Sequence, residues 1–138
     1  MTIQEIKSKL NAVRTAYREY LLSEEKAEQL RENLSLSAHV ISPDTPKQEH
    51  SGNATENKYV AAMWYAQQAE KNFRIYMLAR QEAEALINSV KFPDEKEVLT
   101  RRYILYQKWE EIAEKMHFSC RQIFKIHGKA LLSISEKK

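Results

Sequence analysis

The chain has 138 residues, of which 43% are hydrophobic and 30% are charged. This length suits one compact domain, or one small domain carried on a helical extension. Glycine occurs twice and proline three times, a scarcity that excludes turn-rich sandwiches and barrels and favours an all-α protein. No run of about 18 apolar residues occurs, so we expect no transmembrane segment and no membrane partner.

The charge is unevenly distributed along the chain. Residues 1–90 contain 11 Lys and Arg against 12 Asp and Glu, whereas residues 91–138 contain 11 against 7. A basic C-terminal segment is typical of a surface that binds phosphate groups. Cys120 is the single cysteine, so no intramolecular disulfide can form. Because the N-terminus also lacks the apolar run of a signal peptide, we expect a cytoplasmic protein.

Two long amphipathic helices are predicted in the first 90 residues. The first covers about residues 2–33, and its apolar side chains recur at alternating steps of three and four, as in a coiled coil. They are Ile3, Ile6, Leu10, Val13, Tyr17 and Tyr20. The second is expected to run from a Thr55 cap to about Ser89. Since neither apolar stripe is stable alone in water, the helices are predicted to form a long hairpin, a homodimer, or both.

Two proline-containing segments separate the predicted elements. Residues 35–54 have no sustained periodicity and predict a mobile loop. Farther on, Pro93 disfavours helix at the residue before it, and Asp94 is a good cap for a new helix. We therefore expect an oligomerisation region over residues 1–90 and a separate domain over residues 91–138.

The sequence of the C-terminal domain predicts three short helices, at about residues 95–105, at residues 109–116 and from Ser119 onward. Ser119 followed by Gln122 forms a capping box at the start of the third helix. The apolar residues expected to hold the last two helices together are Ile112, Ala113, Phe118, Ile123 and Ile126. Two short helices, a tight turn and a capped basic helix match the helix-turn-helix plan.

The polar side chains of the third helix indicate that it contacts double-stranded DNA. Arg121, Gln122, Lys125 and Lys129 fall on the side opposite its buried stripe. Arginine pairs with guanine and glutamine with adenine in the major groove, while lysine meets phosphates or bases. Lys108 and Ser119, at the starts of the second and third predicted helices, are added to this predicted DNA-binding set.

Residues 95–132 resemble region 4 of sigma-70-type factors. The likeness lies in the stretches VLTRRY (98–103), WEEIAEKM (109–116) and SCRQIFKIHGKAL (119–131). The whole layout resembles phage transcriptional regulators of the ArpU and RinA type, which join an N-terminal helical region to a sigma-like helix-turn-helix. The resemblance implies a phage or prophage regulator of late genes that acts in the cytoplasm of a bacterial host.

The likeness implies DNA contacts at positions 120, 121, 124 and 125. Arg121 and Lys125 retain chemistry suited to DNA, whereas Cys120 and Phe124 depart from the family, so its DNA sequence preference is not implied. Phe124 either touches thymine methyl groups or packs within the protein.

The turns of the motif also depart from the family. Tyr106 and His117 replace the usual glycines, and Lys108 replaces a Ser or Thr cap. Histidine adopts a left-handed conformation less readily than glycine, so this departure costs stability without excluding the fold.

Catalysis finds little support. The four histidines and one cysteine show no zinc-type pairing, and no glycine-rich phosphate loop is present. We therefore expect no enzyme, metal or cofactor, and we interpret His127 as a surface residue or a neighbour of a phosphate group. Two alternatives to a DNA-binding regulator stay open. One is an adaptor that uses the sigma-like fold to bind RNA polymerase, and the other is a small DNA-packaging subunit of a phage.

Overall fold

All regular elements in the described residues are helical. The computed structural model describes the backbone of residues 1–40 and 51–136, and the side chains of residues 1–34 and 56–136. Two long helices that pack together are followed by shorter ones, which confirms the all-α class. The elements are α1 (Ile3–Val40), α2 (Ser51–Asn88), α3 (Pro93–Leu99), a π-helical turn (Thr100–Ile104), α4 (Trp109–Met116) and α5 (Cys120–Glu136). Within these ranges, no helix has both the length and the apolar character that crossing a bilayer requires.

The long helices extend farther than the sequence pattern predicted. Residues 35–40 and 51–54 are helical, so the predicted loop is wrong at both of its ends, and Thr55 lies inside α2 rather than at its cap. Serine, glycine and asparagine weaken a helix without breaking it, and residues 35–40 and 51–54 contain no proline. The rest of the predicted loop, residues 41–50, lies outside the described residues.

The chain divides into two compact units. Residues 1–16 and 75–138 form one, called here the terminal unit, and residues 17–74 form the other, called the middle unit. Residues 1–16 and 75–90 therefore group with the C-terminal helices, whereas the sequence pattern placed a boundary at residue 90.

In the terminal unit, α1 contributes a fully buried apolar row made of Ile6, Leu10 and Val13. On α2, Ala83 and Ile87 are buried as well. The apolar stripes predicted from the spacing of three and four are thus the buried faces of these helix segments. Burial of this kind stabilises a fold by about 1.5–3 kcal/mol for each large aliphatic side chain.

In the middle unit, small and polar side chains line the contact between the two long helices. Ala27 and Ala69 are buried. The amide Nδ2 of Asn72 donates a hydrogen bond to Oγ of Ser23 at 2.5 Å, and Ser23 is buried. A buried polar pair favours one register of two packed helices over neighbouring ones.

The helix predicted from residue 95 begins earlier than expected. Helix α3 starts at Pro93, its N-cap residue is Phe92, and no side chain caps it. Asp94 therefore does not cap the helix but lies in its first turn, where a carboxylate interacts favourably with the helix dipole. Proline with its fixed φ is well suited to the first helical position, which explains the earlier start. The helical backbone ends at Ile104, close to the predicted end at residue 105.

Candidate nucleic-acid interface

The turn between α4 and α5 depends on one left-handed residue. His117 has φ 59° and ψ 38°, and the N–H of Phe118 donates to the carbonyl of Ala113 at 3.0 Å. This geometry closes the last turn of α4. Tyr106 also has a positive φ, 58°, so both positions where the family usually places glycine adopt the conformation that glycine favours. Lys108 is the N-cap residue of α4 and caps it with backbone alone.

A reciprocal capping box starts α5, as predicted. The N–H of Gln122 donates to Oγ of Ser119 at 3.2 Å, and the N–H of Ser119 donates to Oε1 of Gln122 at 3.3 Å. These bonds satisfy two backbone donors and fix the direction in which α5 leaves the turn. They also engage the amide oxygen of Gln122, which a bidentate contact to adenine would use as well. Because an amide oxygen has two lone pairs, the cap constrains the direction of this oxygen without using up its capacity to accept hydrogen bonds.

An apolar cluster holds α4 and α5 together. Its buried members are Val98, Ile112, Ala113 and Ile123. Partly buried side chains pack against it, namely Trp109, Met116, Phe118, Cys120 and Ile126. All five residues predicted to pack between the last two helices belong to this set. Cys120, which the family resemblance placed among the DNA contacts, is half-buried against the cluster.

The opposite side of α5 is a row of exposed cations, called here the cationic face: Arg121, Lys125 and Lys129. They follow each other at intervals of four residues, which places them on one side of the helix. In the part of the chain that the structure describes, none of the three takes part in a salt bridge. Elsewhere in the terminal unit, Arg101 pairs with Glu97 at 2.7 Å. The cationic face therefore keeps its charge available for an anionic ligand.

Beside the cationic face lies a group of four rings in contact and one guanidinium, called here the aromatic cluster: Tyr103, Trp109, Phe124, His127 and Arg102. The Trp109 ring lies 5.1 Å from the Phe124 ring and 4.9 Å from the His127 ring, measured between centroids. The guanidinium carbon of Arg102 lies 4.4 Å from the centre of the Trp109 ring. Phe124 packs on Trp109, as the interpretation of a packing residue predicts. It is nevertheless 50% exposed, so part of the side chain is accessible to a ligand.

His127 is held inside this cluster. Its Nε2 lies 2.7 Å from the hydroxyl of Tyr103. Burial, together with the smaller effect of the positive charges of Lys7 and Arg102, lowers the pKa of His127 to about 4. His127 is therefore neutral at neutral pH and half-buried, so the expectation of a surface residue is wrong.

Sequence reasoning missed the contacts of Arg102 and Tyr103. Tyr103 lies in the first helix predicted for the C-terminal domain, at about residues 95–105. Its hydrogen-bond partner, however, lies 24 residues away, and no local pattern identifies a partner at that separation.

Among the residues described, no group of three or more His, Cys, Asp and Glu side chains could hold a metal ion. Comparisons of the sequence with protein-family models and characterised proteins, and of the fold with solved structures, find no match.

Proposed function

We propose that this protein binds double-stranded DNA in a sequence-specific manner, with α5 in the major groove, and regulates transcription. The observation that supports this most strongly is the cationic face. Within the described residues, three exposed cations that form no salt bridge lie on α5, the helix that follows the tight turn at His117. A phosphate backbone neutralises such charges and releases counterions, which drives binding.

The spacing of the cations suggests a division of roles. Arg121 lies in the first turn of α5, whereas Lys129 lies eight residues later. At 1.5 Å per residue the two are about 12 Å apart along the helix axis, which is about the width of the major groove. We therefore assign base contacts to Arg121 and Lys125, and a phosphate contact to Lys129. In such an arrangement, the phosphate contacts position the helix and the base contacts specify the sequence.

The role in transcription rests on the resemblance of residues 95–132 to region 4 of sigma-70-type factors. A regulator of phage or prophage late genes is the form that this resemblance favours. Direct contact with RNA polymerase is compatible with it and is a separate question from DNA binding.

The test of DNA binding is a titration of the full chain into a labelled random duplex at several salt concentrations. We expect the logarithm of the affinity to fall linearly with the logarithm of the salt concentration, with a slope set by the number of phosphate contacts. The variant Lys26→Ala should bind as the wild type does, because Lys26 is an exposed lysine of α1 in the middle unit, outside the cationic face. Binding that is absent, or independent of salt, would remove the proposal.

An adaptor that binds other proteins is the second candidate, and exposed apolar side chains on α2 favour it. In the middle unit, Tyr59, Val60, Met63 and Trp64 are between 52 and 65% exposed. Large apolar side chains clustered in this way mark surfaces that bind protein. A second copy of the chain could also cover these apolar residues. That arrangement is compatible with the DNA-binding proposal, because helix-turn-helix proteins commonly bind DNA as dimers. Salt-dependent duplex binding separates the adaptor from the regulator.

A further inference from the structure

Phe124 places an exposed apolar ring beside the cationic face of α5. It is 50% exposed, whereas Ile123 next to it is fully buried. Arg121 lies three residues before it, so the ring and that guanidinium are neighbours on the helix surface, whereas Lys125, one residue after it, is turned about 100° away. The exposed part of the Phe124 side chain is apolar surface in contact with water, which is unfavourable.

The ring of Phe124 is held in place. It contacts the Trp109 ring at 5.1 Å, with an angle of 62° between the two planes. Trp109 is itself fixed by the guanidinium of Arg102 on its face and by the ring of His127 against it. A surface side chain fixed in this way loses little conformational entropy when it binds a ligand.

Gly128 leaves open space next to the ring. It follows Phe124 by one helical turn, and a Cβ atom added there would meet nothing within 4 Å. Glycine in the middle of a helix costs stability relative to alanine. Phe124 and Gly128 together form an uncharged patch on α5 next to Arg121.

We propose that Phe124 recognises the 5-methyl group of thymine in the major groove, so that α5 selects sites with thymine beside the bases that Arg121 contacts. This inference rests on the proposed DNA-binding function. The thymine methyl is the apolar feature of the major-groove edge, and phenylalanine is among the side chains that contact it. Arginine and lysine bind the acceptor atoms of the bases but gain little from a methyl group. Phe124 therefore supplies the part of the recognition that the cationic face lacks.

The experiment first selects a preferred site from random duplexes with the full-length protein. Each thymine of that site is then replaced, one at a time, by deoxyuridine, which pairs with adenine in the same way but has no methyl group. The wild-type protein is expected to bind about fourfold more weakly at one or two positions, as the loss of one buried methyl group predicts. For Phe124→Ala the penalty at those positions should vanish. Leu132→Ala should retain the penalty, because Leu132 lies two turns farther along α5. It is a matched control, since its exposure of 48% is close to that of Phe124.

The outcomes separate this inference from the function on which it rests. If the wild-type chain binds no duplex, both fall. If it binds the selected site tightly but tolerates deoxyuridine at every position, or if that site lacks thymine, only the thymine inference falls. A Phe124→Ala protein with an unchanged penalty would also overturn it. Each penalty compares two duplexes on the same protein, so a general loss of affinity does not affect it. Phe124→Leu, which keeps an apolar side chain beside Trp109, should show an intermediate penalty even if the alanine variant does not fold.

Discussion

Tyr103 and His127 share a hydrogen bond of 2.7 Å that joins the π-helical turn to α5. Their rings also stack, with centroids 5.7 Å apart and planes inclined by 28°. Burial raises the pKa of Tyr103 and lowers that of His127, so both groups are neutral near pH 7. The arrangement suits a Tyr103 hydroxyl that donates to the unprotonated Nε2. This pair ties the middle of the proposed DNA-reading helix to the element before α4.

The stability of the protein should therefore fall between pH 6.5 and pH 4. The pKa of His127 is lowered from 6.5 to about 4 in the folded protein, so the unfolded chain binds the proton more tightly. Stability then increases with pH across this window and is lost as the pH falls. After allowance for the partial exposure of the ring, we expect His127 to account for roughly 2 kcal/mol of that loss. Urea unfolding at pH 7 and at pH 4 measures the difference.

Two variants isolate the contribution of His127 from that of the many carboxylates. His127→Gln removes the titrating ring and should reduce the difference between the two pH values. His117→Asn should leave it unchanged, because His117 is exposed and asparagine tolerates its left-handed backbone. Equal pH dependence in the wild type and His127→Gln would show that the ring does not couple to folding.

Ser119→Ala should destabilise the protein by about 1 kcal/mol, because it removes the side-chain acceptor of the capping box. The comparison is Ser8→Ala, a substitution at an exposed position within α1, where alanine is the better helix former. Thermal unfolding of the full-length variants reports both changes. Equal melting temperatures for wild type and Ser119→Ala would contradict the role given to the cap.

Gly128→Ala should stabilise the fold by about 0.5–1 kcal/mol, since alanine is the better residue in a helix interior. No steric clash is expected, because the added Cβ would meet no atom within 4 Å. Urea unfolding of the full chain measures the gain. A less stable variant would mean that α5 packs more tightly around Gly128 than the structure indicates.

Self-association through the middle unit should depend on the exposed apolar residues of α2. Trp64 is 52% exposed, and Trp64→Glu should convert a dimer into a monomer because a carboxylate in an apolar interface loses its hydration. Gln81→Glu introduces the same charge at an exposed position of α2 in the terminal unit and serves as the control. Light scattering at micromolar concentration distinguishes the two states, and a wild-type protein that is already monomeric would end the dimer proposal.

Local patterns in the sequence predicted the features that depend on neighbouring residues. The apolar spacing located the buried faces of α1 and α2, and Ser119 with Gln122 marked the start of α5. The ends of the helices were harder to predict. Asp94 and Thr55 have the chemistry of good N-cap residues, but each helix begins at an earlier residue. At Asp94, the preceding proline is preorganised for the first turn.

The contacts that the sequence did not predict are those between distant residues. Tyr103 and His127 meet because α3, the π-helical turn and α5 pack together, and neither residue has a local signal for the other. Phe124 left two interpretations open, since its exposure depends on how Trp109 lies beside it. The predicted positions of Arg121, Lys125 and Lys129 followed from helical periodicity alone, and all three are exposed.

The most direct test of the proposed DNA-binding function compares Arg121→Ala with Lys129→Ala on the selected duplex and on random duplex at several salt concentrations. Arg121→Ala should weaken binding to the selected site by about 1–3 kcal/mol and affect random DNA little. Lys129→Ala should weaken both alike and reduce the salt dependence by about one unit. Wild-type affinity of both variants at every salt concentration would contradict the account, because α5 would then not be the element that binds DNA.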